Sequence, residues 1–155
     1  MNRVGEVKDY TTISPPVPSE VLASIAVSNR KEIVAKNLEL VTGNKELLRS
    51  FVARHPKHLG WHSPVAGTMA FVELLNGFES TPYSHELFDR AGLLVMPGDL
   101  FEGVSAIGGG KGEEKREFLR VTFGRGGMEE MLAVWEKVVC EMEREEAKLE
   151  AMMKQ

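Results

Sequence analysis

A single cysteine, Cys140, stands in a chain of 155 residues. One thiol forms no internal disulfide, and no nearby Cys or His completes a zinc ligand set around it. Cys140 is therefore expected as a small buried helix residue. Excess charge is missing too. Nineteen basic residues against 23 acidic ones leave a formal charge of −4, with a pI near 5.6, which gives no electrostatic footprint for nucleic acid. No uncharged apolar run is long enough to span a bilayer, and the opening MNRVGEVKDY lacks the apolar core of a secretory signal. These absences lead us to expect a cytoplasmic protein with neither a nucleic-acid nor a membrane partner.

Several catalytic signatures are absent as well. The glycine-rich run Gly108-Gly109-Gly110-Lys111 fails as a phosphate loop: Ser105 stands where the first glycine belongs and Gly112 where Ser or Thr belongs. It reads as a loop. Of the four histidines, His55, His58 and His62 fall close together, but Pro56 interrupts helical spacing and no acidic or cysteine cluster accompanies them in sequence. A structural or solvent role is the expectation for these and for His85. There is no Gly-x-Ser-x-Gly elbow and no Cys–His arrangement for nucleophilic catalysis.

What is present is enough for one domain with a real core: 43% of the residues are apolar. Residues 1–18 are polar and then proline-dense (SPPVP), which predicts an extended segment. From Ser19 apolar residues recur near a helical period (Val21, Leu22, Ile25, Ile33, Val34, Leu38, Val41, Leu48, Phe51), predicting one very long helix, or two nearly collinear ones, to about Arg54. Gly43-Asn44 is the candidate interruption. Strand signals occupy residues 68–74, 93–96 and 118–123. Between the first two lies a helix over residues 84–91 with Ser84 as its cap. Met128, Met131, Leu132, Trp135, Val138, Val139 and Met142 form one stripe of a final helix. The expectation is an α/β fold, a small sheet of about three strands packed under long N-terminal and C-terminal helices, with Leu132 and Trp135 buried. One face of so small a sheet is left apolar without its full set of neighbours. Residues 19–142 form the body, and residues 143–155 a charged helical tail.

The run Phe118-Leu119-Arg120-Val121-Thr122-Phe123-Gly124-Arg125 carries the most chemistry. Alternation places Leu119, Val121 and Phe123 on one face of a strand and Phe118, Arg120 and Thr122 on the other. A guanidinium set among apolar residues is costly to dehydrate without a partner, and its planar fork matches a carboxylate or phosphate. Arg120 is a candidate anion receptor; the residues leave equally open a strand arginine that snorkels to the surface or pairs with a structural acid.

The order of features is specific: KDYTTISPPVPSE at residues 8–20, the long helix with Asn29-Arg30 and Asn37, Trp61 followed by GTMAF at 67–71, LVMPGDLF at 94–101 and FLRVTFGR at 118–125. In this order and spacing the chain resembles, from about Val4 to Val139, the C-terminal (small-domain) portion of class I/II, fold-type I, pyridoxal-phosphate-dependent aminotransferases. The resemblance implies that the long helix bridges a large cofactor domain and a small domain. It implies that Arg120 binds the α-carboxylate of an amino acid or 2-oxo acid substrate, with Arg125 the weaker candidate. Residues 1–18 resemble the end of the cofactor domain near a dimer interface, making Tyr10 and Ser14 the candidates for contact with the cofactor. The family's Schiff-base lysine, its pyridinium-binding aspartate and its phosphate cup lie upstream of the matched part, and Lys8 lacks the setting of that lysine. The resemblance therefore implies a partial aminotransferase with no catalytic residue of its own, which binds no pyridoxal phosphate and does not transaminate alone. Its expected partner is a missing N-terminal cofactor domain or a second copy in a homodimer. A non-catalytic dimerisation or interaction module derived from an aminotransferase is the alternative.

Overall fold

The computed structural model describes residues 2–11, 16–75, 77–101 and 116–153. The glycine-rich run and residues 12–15, Ser14 among them, fall outside them. The chain divides into two compact units, Met1–Leu38 and Glu39–Gln155.

The N-terminal unit is helical where an extended segment was expected. Helix α1 spans Asn2–Thr11, and α2 spans Val17–Ser28. The prolines do not prevent α2: Pro16 has the extended conformation of an N-cap residue and Pro18 lies in the first turn. There a missing N–H costs nothing, because first-turn amides have no intrahelical acceptor. Asn29 separates α2 from α3 (Arg30–Arg54), its amide returning to Ile25 O at 3.0 Å. The long helical run is thus two helices, broken at Asn29 and not at Gly43-Asn44. None of the residues of α2 is buried.

The C-terminal unit holds the core. Strands β1 (Leu59–Trp61), β2 (Met69–Leu74), β3 (Met96–Pro97) and β4 (Glu117–Thr122) form one antiparallel sheet in the order β1-β2-β4-β3. The three expected strands do share a sheet, and β1 adds a fourth. Only three residues long and centred on Gly60, β1 has too little pattern to announce itself. Pairing at β3 begins at Met96, opposite Arg120. Val95, expected within that strand, is buried and gives its carbonyl to the Ser84 hydroxyl instead. Ser84 is accordingly no helix cap. It lies inside α4 (Ser80–Ala91), which starts a turn earlier and ends at Gly92 in the left-handed conformation, φ 64°.

The core side of the sheet presents Ala70, Val72, Leu74, Leu119 and Val121 to Leu48, Phe51 and Val52 of α3, Tyr83 and Leu87 of α4, and Leu132, Trp135, Val138 and Val139 of α5 (Met128–Met153). Leu132 and Trp135 are buried as expected. Cover from the long helical run comes from its last turns, not from Ser19 onward. Phe51 and Trp135 meet with ring centroids 5.1 Å apart, and the Trp135 indole N–H donates to Tyr83 Oη at 3.1 Å. Burial pushes the Tyr83 hydroxyl up to about 12, against the opposing effect of the indole hydrogen bond.

Asn44 is the reason α3 runs on through Gly43-Asn44. Its side chain is buried and donates to Phe123 O at 3.0 Å and Arg125 O at 2.7 Å, so a polar residue inside the helix fixes the end of β4. Residues 143–146, which open the stretch expected as a charged helical tail, continue α5 and carry the carboxylates that face His55, His58 and Arg90. Cys140, expected buried, is half-exposed on the same helix.

Candidate functional site

Strand β4 is an interior strand, flanked by β2 and β3, so its register decides where Arg120 stands. Leu119, Val121 and Phe123 are buried toward the helices. Alternation therefore sends Phe118, Arg120 and Thr122 to the sheet face away from the helix layer. Phe71 lies opposite Arg120 on β2 and Met96 opposite it on β3. The half-buried Arg120 rests its guanidinium over the Phe101 ring, 4.8 Å from the centroid, with Nη2 3.0 Å from Met96 Sδ. Phe101 in turn meets Phe71 edge-on at 5.7 Å. Such a stack supports a cation from beneath and leaves donor directions of the planar fork unused.

The contrast with other arginines is chemical. Arg54 is held by Glu136 through two bonds of 2.8 Å, Arg90 by Glu145 at 3.0 and 3.1 Å, and Arg116 by Glu73. Among the described residues Arg120 has no carboxylate partner. Of the readings left open by the sequence, pairing with a structural acid is the one this geometry lacks.

The segment carrying Met96 and Phe101 is placed by close backbone approach. A Cβ at Gly98 would stand 2.8 Å from Phe118 O, so only glycine lets the short 3₁₀ turn Gly98–Leu100 lie against β4. The buried Glu117 carboxylate accepts from Ser80 N at 2.9 Å at the start of α4, and Thr81 Oγ1 lies 3.2 Å from Asp99 Oδ2. The MPGDLF stretch stood out in the sequence, but its service to Arg120 did not, because the contact depends on the β3–β4 pairing.

Of the other candidates, Arg125 is exposed just beyond β4, with its carbonyl tied to Asn44. Tyr10 lies on α1 in the N-terminal unit, and 93% of its surface is exposed. Ser14 is outside the described residues. The buried His55 and His58 do meet acids, brought by α5: His55 Nδ1 is 3.3 Å from Glu143 and His58 Nε2 is 3.5 Å from Glu143 and 3.8 Å from Glu146. No group of three or more His, Cys, Asp or Glu among the described residues has the geometry to hold a metal ion. Nor is any helix among them long and apolar enough to cross a membrane.

Neither a family model nor a curated protein matches the sequence. Solved structures do match in fold. A PLP-dependent aminotransferase from Streptococcus suis 89-1591 superposes with a TM-score of 0.69 at 19% identity, over 88% of this chain and 33% of that one. The PLP-dependent cyclase OrfR superposes with a TM-score of 0.67 at 20% identity, over 88% of this chain and 35% of that one. The chain thus has a fold found in PLP-dependent enzymes and spans about a third of their length. Among the described lysines none is a buried, desolvated amine of the kind that activates a lysine toward an aldehyde: all are exposed except Lys45, which is half-buried and donates to Pro64 O at 2.6 Å.

Proposed function

We propose that this chain is the carboxylate-binding part of a PLP-dependent aminotransferase, with Arg120 receiving the α-carboxylate of an amino acid or 2-oxo acid. The observation that carries the reading is the posture of Arg120, supported by Phe101 and Met96 with no carboxylate partner among the described residues. A carboxylate arriving there would accept two parallel N–H bonds, orienting the substrate while the apolar surroundings strengthen the pair. Proton transfer and cofactor capture are assigned to a cofactor-bearing part that this chain's described lysines do not replace.

Titration of the isotope-labelled chain with pyruvate tests the reading. The Arg120 guanidinium resonances are expected to shift in wild type. Arg120→Ala should lose binding by at least tenfold, since charge-assisted pairs contribute about 1.5–3 kcal/mol. Arg120→Lys should recover part of it, keeping charge without the fork, and Arg125→Ala should bind nearly as wild type. Equal small losses at both positions would return Arg120 to a structural role. Borohydride reduction after incubation with pyridoxal phosphate is expected to leave no single lysine stoichiometrically modified.

A second reading has its own observation. Val21, Leu22 and Ile25 of α2 are apolar and exposed, as an interaction module would require. Sedimentation showing a tight dimer with unchanged pyruvate titration at Arg120→Ala would favour that module over the carboxylate receptor.

A further inference from the structure

The sheet face that carries Arg120 also carries a cavity of about 260 Å³, lined by His62, Pro64, Met69, Phe71, Arg116 and Phe118 among others. Phe71 belongs to both places. It faces Arg120 across the β2–β4 pair, meets the Phe101 ring beneath the guanidinium, and forms a wall of the cavity. Phe118, two residues before Arg120 on β4, forms another wall. Residues i and i+2 of a strand lie about 7 Å apart on one face. That separation matches the reach from an α-carboxylate to the ring of an arylalkyl side chain.

The permanent cation at this cavity, Arg116, is already paired, and the exposed His62 is the other titratable side chain on its lining. Arg116 donates from Nε to Glu73 at 2.6 Å, a second bond joins its Nη2 to the same carboxylate at 2.5 Å, and its guanidinium lies 5.4 Å from the Phe118 centroid. A second carboxylate entering here would meet a cation whose counter-ion is in place, and would lose its water beside Phe71, Phe118 and Met69. An apolar ring meets two aromatic walls and a guanidinium face, all of which it packs against favourably.

We infer that this cavity receives the side chain of the substrate bound by Arg120, and that the substrate class is an amino acid or 2-oxo acid with an apolar aromatic side chain, not a dicarboxylate. The inference rests on the carboxylate reading of Arg120, and the experiment separates the two.

Three probes, 3-phenylpyruvate, pyruvate and 2-oxoglutarate, are titrated into the labelled chain while the Arg120 guanidinium and Met69 methyl resonances are followed. All three should shift Arg120. Only 3-phenylpyruvate should also shift Met69, and it should bind about tenfold tighter than pyruvate. Met69→Ala, which trims the cavity wall at a half-exposed position without adding a charge, should reduce that advantage. If 3-phenylpyruvate binds no tighter than pyruvate while both shift Arg120, the cavity assignment falls and the carboxylate reading stands. If 2-oxoglutarate binds tightest, the substrate class is wrong. If no probe shifts Arg120, both inferences fail together.

Discussion

At Tyr83 burial sets the titration of the hydroxyl against the opposing pull of the Trp135 hydrogen bond. The hydroxyl is held at about 12 in the folded chain, above its ordinary value of 10.0, because burial disfavours the phenolate more than the indole N–H favours it. A value raised by folding means the folded state holds this proton more tightly than the unfolded one. Its contribution to stability is therefore complete below pH 10.0 and is lost as pH climbs toward 12. Tyr83→Phe should remove this alkaline loss in denaturant titrations at rising pH. The same variant leaves the Trp135 N–H buried without its partner, so it should also cost about 1–3 kcal/mol at neutral pH. Asn44→Ala is expected to destabilise by a similar amount, about 1–3 kcal/mol by chemical denaturation, because Phe123 O and Arg125 O both lose a donor. Asn44 was visible in the sequence only as a helix-breaking residue. Its partners lie 79 and 81 positions away, a separation that no local pattern encodes. Arg120 was legible for the opposite reason: strand alternation alone put a cation among apolar residues, whereas Phe101 and Met96 beneath it required the tertiary pairing.

At the level of elements, periodicity served where a face was buried and failed where it was not. The α5 stripe and β2 and β4 were readable because each packs against the same core. Helix α1 was missed because its polar sequence has no apolar stripe, and β1 because three residues carry no alternation. Loop and turn glycines were readable as turns but not as contacts. Gly98→Ala should cost about 1–3 kcal/mol, since the new methyl must displace the Phe118 carbonyl of an interior strand; a wild-type melting temperature would show that the turn shifts freely. The helices are also tied by charge. Glu136 of α5, beside the Arg54 guanidinium of α3, ionises below its ordinary value of 4.5, and Glu145, beside Arg90 of α4, does the same. A carboxylate lowered by folding stabilises above pH 4.5 and loses that contribution as acid protonates it. Thermal melts from neutral pH downward should show Glu136→Gln converging with wild type in acid. Salt should weaken the wild-type advantage, because both pairs lie near solvent.

Across the whole molecule, burial is concentrated in the unit of residues 39–155, while every described side chain of residues 3–38 whose burial is assigned is exposed. Helices of 10 and 12 residues without buried contacts are marginal by themselves. Amide exchange should consequently be fast throughout α1 and α2 and slow at Leu48, Phe51, Val72, Leu119 and Trp135; protection of α2 equal to that core would mean that another surface covers it in solution. The strand order has a consequence for biosynthesis. Among the described residues strand β3 pairs with β4, and β4 sits between β2 and β3 although it is the last of these four strands to leave the ribosome. Until residue 122 has been made, β2 exposes the edge that β4 will occupy, and until Trp135 emerges the core lacks its largest buried side chain. A nascent chain stalled before Glu117 should therefore carry an open, pairing-prone edge, making this unit a client of the machinery that shields polypeptides during translation.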